Sequence, residues 1–131
     1  MNRGVMLTIL RIVSGLLFLE HGLQKLTGFP VPLDPHRIPP LNSLPGMAGY
    51  FELGCGLLIA LGLFTRVASF VASGTMAVAY FYWHAPQNLF PVNNQGDAAI
   101  LYCFIFLYLV FAGGGPFSVD AVLAGKAPPR D

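Results

Sequence analysis

The chain has 131 residues, enough for one domain and too few for two ordinary ones. Hydrophobic residues make up 55% and charged residues 10%, with a net charge of +1, against roughly a quarter charged in soluble domains. That excludes a soluble enzyme, a disordered chain and a nucleic-acid binder, and leaves an integral membrane protein.

Four apolar stretches, 5–27, 46–64, 67–85 and 97–113, are each near the length needed to cross a bilayer. Lipid cannot satisfy a bare backbone and four strands cannot close a barrel, so the stretches read as helices. The expected fold is all-α, a membrane four-helix bundle forming one domain over 1–131. The first stretch follows Arg3 like a signal peptide, but it ends in Gln24-Lys25-Leu26 without a small-residue cleavage site. It reads as a retained span.

The connection 28–45 holds Pro30, Pro32, Pro35, Pro39, Pro40 and Pro45, which forbid regular helix and predict an extended loop. Thr65-Arg66 reads as a tight hairpin between the second and third spans. The third connection, Pro86 to Gln95, carries Pro91, Asn93 and Asn94 and is followed by Gly96; the helix restarts at Asp97, a good N-cap. Gly113-Gly114-Gly115-Pro116 ends the fourth helix, and 114–131 is the tail.

Lys and Arg near the helix ends set orientation. Arg3, Arg66, Lys126 and Arg130 share one side, against Arg37 and Lys25 on the other. Both termini are therefore expected on the cytoplasmic side, with the proline-rich loop outside.

Arg11, Glu20, Lys25 and Glu52 lie inside these spans, where charge is costly and marks a partner or a function. On a helical wheel Val5, Ile9, Ile12, Leu16, Leu19, Leu23 and Leu26 form a stripe expected to face lipid. Glu20, His21, Gln24 and Lys25 occupy the other side and should point inwards. Glu52, six residues past Gly46, sits about 9 Å deep at 1.5 Å per residue. Glu20 reaches a similar depth, and the Lys25 stem can reach either carboxylate.

Two readings stand side by side: a structural ion pair docking two helices, and a proton-handling or ligand-binding pocket. Tyr80, Tyr82, Trp83, His84 and Tyr102 converge on the same side, as an interfacial belt or as lining of that pocket. His21 and His84 lack metal-ligand spacing, so no metal is expected. Cys55 and Cys103 read as small hydrophobes. On the opposite side an Arg11–Asp120 pair is expected to lock the tail. Gly15, Gly22, Gly49 and Gly56 offer small surfaces for close packing.

The run Phe18-Leu19-Glu20-His21-Gly22-Leu23-Gln24-Lys25-Leu26 resembles the F-x-x-H-G-x-Q-K-L end of the first helix in DoxX proteins. Glu52 to Leu58, continuing through Gly62 to Arg66, resembles their second helix and hairpin, and Gly113 to Asp120 their glycine-rich G-S-x-D ending. The first connection is longer than the simplest family pattern. The matching positions are His21, Gly22, Gln24, Lys25, Glu52, Arg66, Ser118 and Asp120. The resemblance implies a four-helix protein of the bacterial or archaeal inner membrane. The family takes its name from the small membrane subunit of an archaeal thiosulfate:quinone oxidoreductase, and other members are linked to oxidative and thiol stress.

The expected function is a membrane subunit of a quinone-linked oxidoreductase, with an outward-facing polar pocket between the first two helices. Glu20, Glu52 and Lys25 are the candidate catalytic residues; His21, Gln24, Tyr80, His84 and Tyr102 are candidate ligand contacts, and Arg11 and Asp120 structural ones. Quinone is the expected cofactor. The sequence has no haem, flavin or iron–sulfur signature, so electrons would come from a redox partner protein or a bound substrate. The bilayer is the other partner, a homo-oligomer is open, and nucleic acid is not expected. The alternatives are a non-catalytic anchor or assembly factor and a binder of lipophilic small molecules.

Overall fold

Asn2 caps the first helix, its side chain accepting from the Gly4 N–H at 3.0 Å, a donor with no intrahelical partner. In the computed structural model, which describes residues 2–32 and 38–126, this helix, α1, runs Arg3–Thr27 and stops where Gly28 turns left-handed at φ 74°. Pro35 of the first connection, and Arg37 and Arg130 of the orientation count, lie outside the described residues. Helix α2, Leu44–Leu61, is capped by Ser43, has proline in its first turn and ends at Gly62, φ 71°.

The hairpin therefore comes earlier than hydropathy predicts. Leu63 and Phe64 keep the apolar run going, yet Gly62 ends α2, and Thr65 and Arg66 already belong to α3, Thr65–Ala79. The α-helix also stops before residue 85. Tyr80–His84 forms a π-helical turn in which the Ala85 N–H donates to the Tyr80 carbonyl at 2.9 Å.

A four-residue helix, α4 (Pro91–Asn94), sits inside the third connection, and α5 spans Asp97–Ala112. Asp97 is the first helical residue rather than the cap; Gly96 occupies the cap position. A final short helix, α6 (Val119–Leu123), starts at Ser118, whose hydroxyl accepts from Ala121 N–H. No strand occurs among the described residues, and the fold they form is all-helical.

Helix α1 packs closely along α2, and α3 along α5, while α2 and α3 join the pairs. Missing side chains make the first contact close. A Cβ added to Gly15 would lie 2.6 Å from Ala60 N, and one on Gly56 2.6 Å from Leu19 N. Ser73 ties α3 to α5 by donating to the Cys103 carbonyl at 2.9 Å. Phe18, Ile59, Ala72, Phe106 and Leu109 are fully buried at the centre.

Outside that core the surface is apolar: Met6, Val13, Leu16, Phe70, Leu101, Phe104 and Phe111 are all exposed. Helices α1 and α2 are long and apolar enough to cross a membrane, and only 28% and 33% of their apolar windows are buried. A core helix of a soluble protein would be mostly covered. Exposed apolar length of this kind is what a lipid environment accepts.

The exposed face of α1 is rotated from the expected stripe. Met6, Ile9, Leu10, Val13, Leu16 and Leu17 are exposed, whereas Val5, Leu19, Leu23 and Leu26 are half-buried. The buried face is Thr8, Arg11, Ser14, Gly15, Phe18 and Gly22. Small residues that admit a close neighbour chose the face, not the charges.

Candidate functional site

Two polar centres form at opposite ends of the helices. At the end holding the proline-rich loop, Lys25 Nζ donates to Glu52 Oε1 at 2.6 Å, with the two side chains 19% and 2% exposed. Gly49, one turn before Glu52, lies against the Lys25 stem, so the close α1–α2 contact sets the register of this pair. The second carboxylate oxygen, Glu52 Oε2, is buried and has no hydrogen-bond partner. A charge so deeply buried is tolerated only with a partner, and Lys25 satisfies one of its two oxygens.

Aromatic rings stand beside the pair. Tyr102 on α5 stacks on Phe106 at 5.6 Å between centroids, tilts against Phe18 at 5.7 Å and meets the edge of His21 at 6.0 Å. His21 lies within electrostatic reach of Glu52, and Tyr102 within reach of both Glu52 and Glu20.

Four of the candidate residues thus share one neighbourhood: Lys25, Glu52, His21 and Tyr102. Glu20 corrects the expectation that it points inwards. It is exposed on the same face as Leu16 and Leu17, as is His21 at the rim, because Gly15, Phe18 and Gly22 take the inner positions.

Gln24, Tyr80 and His84 have other partners. Gln24 Nε2 donates to the Val31 carbonyl at 2.9 Å and holds the loop against α1. Tyr80 and His84 stack at 6.4 Å on the π-helical turn. The Asn94 carbonyl accepts from His84 Nδ1 at 2.9 Å.

Asn94, 1% exposed, organises this region. Its Nδ2 donates to the Asn88 carbonyl at 2.9 Å and reaches the Tyr80 hydroxyl at 3.5 Å, and its Oδ1 accepts from Gly96 N–H at 2.8 Å. From the sequence Asn94 reads as a turn former among the polar groups around the start of the fourth helix, not as the organiser of the region. The signal available was its place in the pair Asn93-Asn94 just before a helix start. Among the described residues, no three His, Cys, Asp or Glu side chains cluster as a metal ion would require, and both cysteines are free.

The opposite end carries Arg11 and Asp120, which do not form the direct pair expected of them. Arg11, 1% exposed, donates to the carbonyls of Ile59, Ala60 and Phe117 at 2.8, 2.7 and 2.7 Å. It thereby neutralises the carbonyl end of α2. Asp120 accepts from Phe64 N–H, Thr65 N–H and the Thr65 hydroxyl at 2.8, 2.9 and 2.7 Å. It caps α3 from a distance.

Backbone groups at helix ends hold each charge more tightly than a flexible ion pair would. Burial would push the Asp120 carboxyl up, but the Thr65 and Phe64 donors and the nearby Arg11 charge outweigh it and hold the carboxyl below its ordinary value. Arg66 completes the set, donating to the Val110 and Phe111 carbonyls at 2.7 and 2.8 Å at the end of α5. Two shallow concavities of about 370 and 360 Å³ lie here around Pro116 and Lys126, away from the Lys25–Glu52 pair.

Comparison with known proteins gives a consistent set of relatives. A family model, DoxX, matches residues 6–85, the stretch that holds both Lys25 and Glu52. A protein of Haemophilus influenzae described as uncharacterized is 38% identical over 90% of each chain. An uncharacterized membrane protein of Mycobacterium tuberculosis is 40% identical over 90% of this chain and 81% of its own. A second uncharacterized Haemophilus influenzae protein is 28% identical over 97% of this chain. No solved structure matches.

Proposed function

Because the chain belongs to the DoxX family of membrane proteins, we propose that it is a small subunit of a quinone-linked oxidoreductase system. In this reading it is a multi-pass protein of a bacterial or archaeal inner membrane. Its four long helices form a transmembrane bundle, both termini are cytoplasmic, and the polar centre beside the proline-rich loop faces outwards.

The observation that carries the reading is the Lys25–Glu52 pair with its unpartnered Glu52 Oε2, within electrostatic reach of the His21 and Tyr102 rings, which meet edge to face. A flat, lipid-soluble ring with polar oxygens fits such surroundings: aromatic faces for the ring and fixed polar atoms for its oxygens. When bound, a quinone supplies exchange of two electrons and two protons. Lys25 would donate to a ring oxygen, Glu52 would accept a proton released by a ring hydroxyl, and His21 and Tyr102 would border the ring. A redox partner protein exchanges the electrons.

Mass spectrometry of small molecules extracted from the detergent-purified protein tests this. Quinone retained by wild type and lost from a folded double variant, Lys25→Met with Glu52→Gln, which strands neither charge, supports it. Wild-type protein with no quinone and no affinity for added quinone overturns it.

The second reading is a non-catalytic membrane anchor for a redox partner. It is favoured by the way Gln24 and His84 bond to the chain's own backbone, as structural side chains do. A partner protein that stays bound in detergent while no ring compound copurifies would select this reading.

A further inference from the structure

We propose that Glu52 Oε2 is the acceptor for the hydroxyl of a lipid-soluble aromatic ligand, so that the site selects the hydroxyl form of a ring over its carbonyl or ether form. This rests on the ring-binding reading above and adds which form is held.

The two oxygens of the Glu52 carboxylate stand in different situations. Oε1 is taken by the Lys25 ammonium at 2.6 Å, while Oε2 is buried without a donor. An ionised carboxylate beside an ammonium has lone pairs and no proton to give. It can only accept. A buried acceptor left without a donor is unfavourable, so the site favours a ligand that brings one.

The chain's own groups do not fill the role. Lys25 is engaged with Oε1, and His21 and Tyr102, the polar side chains within electrostatic reach, make no hydrogen bond to Oε2. Its ring neighbours select for shape. Half-buried Tyr102 is backed by the fully buried Phe18 and Phe106 and meets the exposed His21 edge-on, so the aromatic surface open to a flat ring is that of Tyr102 and His21.

Approach is from lipid, since Leu16 and Leu17, one turn away on α1, are exposed. Entry to Oε2 needs a rotamer change, which the exposed His21 can make while Lys25 stays on Oε1. A ring carbonyl would set acceptor against acceptor at Oε2, and a methyl ether would bring no proton. A phenolic hydroxyl satisfies the oxygen.

The test uses the full chain in detergent, under anaerobic conditions, with three probes: an alkylated hydroquinone, its quinone and its dimethyl ether. The hydroquinone is expected to bind about tenfold or more tighter than the other two, the scale of one hydrogen bond to a charged group. Lys25→Met with Glu52→Gln, which removes the carboxylate without stranding the ammonium, should erase that preference. Quinone or ether binding as tightly as hydroquinone overturns the inference while leaving ring binding in place. A preference surviving in the double variant overturns the assignment to Glu52. Failure of all three probes to bind wild type overturns both readings.

Discussion

Lys25 and Asp120 show two ways of holding charge in an apolar chain. Lys25 has one carboxylate partner, so removing either member strands the other. Lys25→Met should destabilise by about 3–5 kcal/mol, and adding Glu52→Gln should recover part of that loss; melting curves in one detergent compare them. If the double variant is the less stable, the pair is not coupled as described. Asp120 instead spreads its charge over three donors at the start of α3. Asp120→Asn should cost about 1–2 kcal/mol at neutral pH, the worth of a helix cap. The sign of the pH dependence follows from a folded carboxyl held below its unfolded value of about 4. The extra stability is fully present above that value and is lost as pH falls through the lower folded one. The melting-temperature gap between wild type and Asp120→Asn should therefore close on acidification, and a gap that widens would contradict it.

Helix contacts are decided by where a side chain is missing. A Cβ at Gly15 meets the Ala60 backbone at 2.6 Å, whereas one at Gly54 or Gly74 meets nothing within 4 Å. Gly15→Ala should push α1 from α2 and cost about 1–3 kcal/mol. Gly54→Ala should be neutral or stabilising by up to about 1 kcal/mol, from helix propensity alone. Equal melting temperatures for the two variants would rule out the close contact. Because Gly49 lies on the Lys25 stem, displacement of the helices should also weaken the Lys25–Glu52 pair. The remote caps tie the rest: Arg11 on the end of α2, Asp120 on the start of α3 and Arg66 on the end of α5. The terminal segment thus fastens helices that share no loop with it.

At the scale of the whole molecule, the proposed orientation has a direct test. Asn42→Cys, in the loop before α2, should react with a membrane-impermeant thiol reagent in intact cells, and Lys126→Cys beyond α6 should react only after lysis. The reverse pattern would invert the proposed topology and turn the Lys25–Glu52 end to the cytoplasm. Native background should be low, since Cys55 is buried and Cys103 half-buried within their helices.

Composition and hydropathy by themselves determined the class of the molecule. With 55% hydrophobic and 10% charged residues, an all-helical chain with exposed apolar faces is the outcome they allow. The proline and glycine runs also marked the first and last connections, since backbone chemistry there is local. Three things were not local and needed the tertiary structure. The hairpin at Gly62-Leu63-Phe64 was hidden in an apolar run, because its α3 end is capped by a carboxylate 55 residues away in sequence. The outward turn of Glu20 was hidden because hydropathy weighs charge, whereas the α1 face is chosen by how closely Gly15 and Gly22 admit α2. Arg11 and Asp120 looked like a pair from their charges. The folded chain offers each a helix end instead, whose several fixed backbone groups satisfy a buried charge better than one mobile side chain can.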